Sequence, residues 1–103
     1  EADAEAMVAR AVELFGGLDI LVNNAGVVAA SGVFADVEAA DFDAVIATNL
    51  RGTFLVSRAA IRQMREQGRG GAIVNNSSCC GVAAWRNLAA YVRAAAPPSP
   101  SLC

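Results

Sequence analysis

Ser78 and Tyr91 are the residues of this 103-residue chain whose types and spacing could do chemistry. A serine hydroxyl and a tyrosine phenol near an apolar crevice can together polarise a carbonyl or take a proton from an alcohol. Residue type alone carries little weight, because buried serine and tyrosine hydroxyls usually satisfy backbone groups. The other reactive types offer less. The chain has no histidine, and all eight basic residues are arginines, so lysine is absent too. Without histidine or a Cys-x-x-Cys pair, no metal site is expected. Cys79 and Cys80 are adjacent and the third cysteine is Cys103. An odd, clustered set does not make a disulfide framework, and with no cation beside them the pair reads as small loop residues. Two glycosylation sequons, Asn75-Asn76-Ser77 and Asn76-Ser77-Ser78, fall at the end of a strand expected to be buried and are read as coincidental.

Something must hold Ser78 and Tyr91 near an apolar crevice, and the stretch Leu18-Asp19-Ile20-Leu21-Val22-Asn23-Asn24-Ala25-Gly26 is the first candidate. Its branched apolar half has the pattern of a strand buried on both faces, roughly Asp19–Asn23. Its second half stops that run with two amides, a small residue and a glycine. Ligands of open α/β sheets bind at such carboxyl ends of strands. Before it, Ala2–Phe15 carries Ala4, Met7, Val8, Ala11, Val12 and Phe15 at helical spacing, with Gly16-Gly17 as a left-handed cap. No helix-start signal precedes that helix.

Residues 27–32 make a loop of small residues and residues 35–38 a turn. A long helical pattern then runs over 38–67 through Phe42, Val45, Ile46, Leu50, Phe54, Ile61 and Met64. Asn49 interrupts its apolar face, either as a satisfied polar group or as a residue that bends the helix and holds a water. Gly68, Gly70 and Gly71 follow a helix and precede a strand, Ala72–Asn76. A phosphate loop needs the opposite order, so these glycines are a helix cap and turn. Strand, helix, strand makes a right-handed βαβ crossover with parallel strands. Asn24 and Ser78 therefore fall on one rim of the sheet. Tyr91 sits in a short helix within 85–96, which Pro97 and Pro98 end.

The fold class is thus α/β: part of a Rossmann-like, doubly wound fold, an α-β-α-β-α segment with parallel strands. Residues 1–96 form one unit and 97–103 a disordered Pro/Ser-rich tail. The chain is 55% hydrophobic with a net charge of −2, a core-rich composition with no basic field for nucleic acid or anionic lipid. No apolar run approaches the ~18 residues of a membrane span, and the acidic start is the reverse of a leader. A cytoplasmic setting is expected. With only two strands, both sheet edges lie open, which predicts marginal stability alone and a tendency to pair or aggregate.

In combination the motifs are specific. Residues 19–26, then Asn49-Leu50 with Gly52, then Ile73-Val74-Asn75 with Ser77-Ser78, then Tyr91, closely resemble the short-chain dehydrogenase/reductase family over nearly all of residues 1–94. The resemblance implies an NAD(P)-dependent oxidoreductase moving hydride between a nicotinamide and a carbonyl or alcohol. It implies that Asn24, Ala25 and Gly26 support the sheet and line the adenosine side of NAD or NADP. It makes Tyr91 the acid/base, Ser78 the donor to the substrate oxygen and Asn49 the anchor of a relay water. It also implies a homo-oligomer packed through helix 38–67.

Three departures qualify the activity that the resemblance implies. The family's tyrosine is followed four residues later by a lysine on the same helical face; here that residue is Ala95. An ordinary phenol has a pKa of about 10, so only ~0.1% is ionised at pH 7 without a cation beside it. Arg93, two residues on, points away from that face. Next, the family's first βαβ unit, with its Thr-Gly-x-x-x-Gly-x-Gly loop and the residue choosing NAD or NADP, has no counterpart here. Asn76, finally, stands where the family usually has an apolar residue. The expectation is an internal fragment, inactive in this form, or alternatively a non-catalytic fragment acting at most as a helix-mediated interaction module. The cause of the truncation, the substrate and the cofactor preference are left open.

Overall fold

The computed structural model describes residues 1–29, 31–83 and 85–95. The expected tail, 97–103, and the boundary at 96 lie outside the described residues. The elements are α1 (Ala2–Phe15), β1 (Ile20–Asn23), α2 (Ala39–Val45), α3 (Thr53–Glu66), β2 (Ala72–Asn75) and α4 (Ala89–Ala95). A seven-residue π-helical segment, Ile46–Gly52, leads from α2 into α3. Two compact units emerge: Glu1–Asn24 with Gly52–Asn76, and Ala25–Arg51 with the described residues from Ser77 onward.

The first unit is the βαβ crossover that the spacing implies. β1 and β2 pair in parallel, with Ile20 opposite Ala72 and Asn23 opposite Asn75. The ladder extends one step past each end, Ala72 N donating to Asp19 O at 2.8 Å and Asn76 N to Asn23 O at 2.9 Å. Helix α1 ends at Gly16, whose φ of 78° is the left-handed cap that a side chain would strain, and whose N–H donates to Val12 O. Its start has no side-chain cap, as the sequence indicated. Arg58 pairs with Glu1 and Arg62 with Glu5, an equal step of four on both helices, so α1 and α3 run parallel.

Val8, Ala59, Ala60 and Met64 form the core, with Leu18 and Leu21 packed against it. The core differs from the expected apolar stripes. Met7 and Phe15 on α1 face solvent, as do Phe42, Leu50, Phe54 and Ile61 downstream. Two alanines outside that stripe, Ala59 and Ala60, join Met64 as the buried face of α3. Small residues let a helix approach its neighbours closely, and the π-helical turn shifts the phase on which a single 3.6-residue stripe over 38–67 was drawn. The strands are also not buried on both faces. Leu21 turns to the core, while Ile20 is 63% exposed, Val22 57% and Val74 50%. Side chains alternate along a strand, and α1 and α3 cover one face only.

The turn into each strand is strapped by side chains. Gln67 donates from Nε2 to Leu18 O at 2.7 Å and accepts from Leu18 N at 3.1 Å. Arg69 grips both carboxylate oxygens of Asp19, at 2.7 and 3.2 Å. That fork holds the Asp19 carboxyl below its ordinary 3.8 and the guanidinium above its ordinary value. Gly68 and Gly70, at φ 74° and 76°, turn the chain from α3 toward β2. Gly71 is needed for closeness: a Cβ there would sit 2.8 Å from Asp19 O.

In the second unit, Val45, Cys80 and Ala90 are buried, and α4 packs against α2 and against a 3₁₀ turn over Cys79–Gly81. Among the described residues no helix is long and apolar enough to cross a membrane.

Candidate functional site

Two amide pairs close the carboxyl end of the sheet in the first unit. Asn23 Nδ2 donates to Asn75 Oδ1 at 2.8 Å and to Ser57 Oγ on α3 at 2.8 Å. One residue on, Asn76 Nδ2 donates to Asn24 Oδ1 at 2.6 Å. Successive strand residues point to opposite faces, so Asn23 serves the helical face and Asn24 the bare one. Asn24 is exposed, and its Nδ2 has no hydrogen-bond partner among the described residues.

The loop after Asn24 belongs to the second unit and is held there by Asn49. Asn49 Oδ1 accepts from Val27 N at 2.8 Å, and its Nδ2 donates to Val27 O at 2.9 Å. One side-chain amide thus satisfies both polar groups of one loop residue, as a neighbouring strand would. Gly26 lies beside the clamp, where an added Cβ would rest 3.6 Å from Asn49 Oδ1. The side-chain amide of Asn49 is thus satisfied by protein partners, as one of the two readings of the sequence has it. It sits at the middle of the π-helical segment Ile46–Gly52, an irregularity common at functional sites.

Ser78 caps the 3₁₀ turn, its Oγ accepting from Cys80 N at 3.2 Å. The neighbouring Ser77 clasps α4, donating from Oγ to Ala95 O at 2.6 Å. Gly81 lies against the same carbonyl so closely that a Cβ would collide with it. Tyr91 is half-buried on α4, the helix that packs on the turn Ser78 caps. Gly32 N donates to Asn87 O at 3.0 Å, tying the loop after Gly26 to the one before α4; Asn87 takes a positive φ of 65°. Ala25 and Gly26 are exposed. Asn49 with Gly26, and Ser78 with the helix of Tyr91, are thus brought together within one unit. The sequence did not single out Ser77 or Gly81 as clasps on α4. Its one signal was Gly81 closing the Ser-Ser-Cys-Cys loop.

The sequence and fold have known counterparts. The family model for short chain dehydrogenases matches residues 1–96. The chain belongs to the short-chain dehydrogenase family. It is 51% identical over 80 residues to an uncharacterized oxidoreductase of Thermotoga maritima, a match covering 78% of this chain and 31% of that protein. A crystal structure of a short chain dehydrogenase from Mycobacterium smegmatis superposes with a TM-score of 0.86 at 35% identity, over 90% of this chain and 38% of that one. NAD+-bound xylitol dehydrogenase gives a TM-score of 0.83 at 38% identity, over 89% of this chain and 35% of that one. The chain therefore spans about a third of the length of the curated relatives it matches. The α/β fold with parallel strands is the Rossmann-like fold of those dehydrogenases.

Proposed function

We propose that residues 1–96 are the central part of an NAD(P)-binding Rossmann domain, and that they contribute one side of an active site for hydride transfer between a nicotinamide and a carbonyl or alcohol. The observation that carries this is the placement of Ser78 and Tyr91: one caps the turn on which the helix of the other packs. In this reading Tyr91 exchanges a proton with the substrate oxygen, Ser78 donates a hydrogen bond to it, and Asn49 fixes the loop beside them and anchors a relay water. A bound nicotinamide dinucleotide supplies the hydride.

The residues fit one part of that dinucleotide. The Nδ2 of Asn24, without a hydrogen-bond partner among the described residues, and the exposed Ala25 and Gly26 that follow it suit the hydroxyls of its adenosine ribose. No described glycine loop runs from a strand into a helix, so the pyrophosphate finds no cradle among these residues. Ala95 occupies the place four residues after Tyr91 where a cation would favour phenolate. The chain alone is therefore inactive.

A second reading is favoured by one observation. Phe54 and Ile61, a full two turns apart on one face of α3, are 57% and 45% exposed. A non-catalytic module pairing copies through helix 38–67 would cover them. In either reading the chain is assigned to the cytoplasm.

The test is oxidation of NADH and NADPH by the purified chain with a panel of ketones and aldehydes. No turnover is expected, and none from Ala95→Lys, because the pyrophosphate contacts are still missing. Turnover that Tyr91→Phe abolishes would contradict the inactivity of the chain and support the assignment of Tyr91.

A further inference from the structure

Asn76 lies one step past the last paired residue of β2, opposite Asn24, the residue one step past β1. Its backbone N–H extends the ladder to Asn23 O, which fixes its strand-like direction and sends its side chain to the bare face. There its Nδ2 meets Asn24 Oδ1 at 2.6 Å, a short bond for an amide pair. An asparagine amide has an acceptor end and a donor end, and whichever end is bound decides what the other offers. With Oδ1 turned toward Asn76, the amide is oriented so that Asn24 offers the hydrogens of Nδ2 away from its partner.

We propose that Asn76 is a positioning residue that holds the acceptor end of the Asn24 amide, so that Asn24 presents its Nδ2 hydrogens to an acceptor oxygen, such as a ribose hydroxyl, at the rim of the sheet. An apolar residue at 76 would leave the Asn24 amide free to present either end. The assignment of ribose rests on the reading of Asn24 as part of the cofactor rim; the orientation of the amide does not.

The test is NMR on the full chain, isotopically labelled, measuring the scalar coupling across the hydrogen bond from Asn76 Nδ2 to Asn24 Cγ. The coupling is expected in the native chain, lost in Asn76→Leu, and restored in Asn76→Gln, which keeps an amide donor. Asn76→Asp has acceptors only, so Asn24 should reverse and its Nδ2 become the bonded group, a signature that mere loss of structure does not give. Absence of the native coupling, or a coupling running from Asn24 Nδ2 to Asn76 Cγ, overturns the proposal. So does an Asn24 side-chain signal that is the same in the native chain and Asn76→Leu. A titration with adenosine, which needs no pyrophosphate cradle, separates the two levels. Shifts of the Asn24 Nδ2 signals in the native chain that weaken about tenfold in affinity in Asn76→Leu support both. An intact coupling with no adenosine response overturns the ribose assignment and leaves the positioning role standing.

Discussion

The two units of this chain are held together by different means. In the first, regular pairing and an apolar core do the work: a parallel ladder, Val8, Ala59, Ala60 and Met64 packed under Leu18 and Leu21, and ion pairs along the surface of α1 and α3. In the second, which carries Asn49, Ser78 and Tyr91, loops are fixed one by one. Asn49 clamps Val27, Ser77 clasps Ala95, Ser78 caps its turn, and Gly32 reaches Asn87. The contrast follows from the backbone of each part. A scaffold gains from repetition, whereas loops that carry function have irregular backbones whose polar groups need individual partners.

The comparison can be broken most forcefully at the core. Met64 is 7% exposed, and Met64→Ala should cost about 2–5 kcal/mol through lost burial and the cavity left behind. Urea unfolding followed by circular dichroism should show the midpoint drop accordingly. A change within experimental error would mean that the ladder, not the core, carries the first unit.

An intermediate effect is expected from Asn49→Ala. It removes two hydrogen bonds to Val27 and leaves both backbone groups to find water, a loss of about 1–3 kcal/mol. The loss should be confined to the second unit.

The smallest effect concerns the surface of the first unit. The carboxyl of Asp19 titrates below its ordinary value because Arg69 donates hydrogen bonds to its charged form. A depressed carboxylate adds stability above its unfolded pKa of 3.8, and that stability fades as pH falls through the lower folded value. The pH dependence of the unfolding midpoint below about pH 4 should therefore flatten slightly in Asp19→Asn. Both partners are exposed, so salt should weaken the effect. An unchanged acid limb would show that the fork contributes nothing measurable.

How far each unit could be read from sequence follows the same division. Apolar periodicity and glycine placement located α1, β1 and β2, and the outer ends of the helical stretch 38–67, within a residue or two, because regular elements leave regular patterns. They did not reveal that Ala59 and Ala60 would be buried while Phe54 and Ile61 stay outside, since close approach of two helices is not written in either helix alone. The π-helical turn was hidden for a related reason: residues 38–67 read as one helix, and a local widening leaves no separate signature in their composition. The spacing of Asn24, Asn49, Ser78 and Tyr91 carried the resemblance to the family. The bonds that Asn49 makes to a residue 22 positions away, and that Asn76 makes 52 positions away, were not legible. Those depend on where the fold brings distant loops, which no local pattern encodes.

Residue-resolved hydrogen exchange on the native chain and on Asn49→Ala is the most direct measurement of the central claim, that the loops carrying the candidate chemistry are held by their own side chains and not by the scaffold. In the native chain the amides of β1, β2 and α3 should be protected, and the amide of Val27 should share measurable protection. In Asn49→Ala the protection of Val27 should vanish while that of the ladder from Ala72 to Asn76 stays unchanged. Equal loss of protection across the strands and the loop would contradict the account, because it would make Asn49 a part of the scaffold.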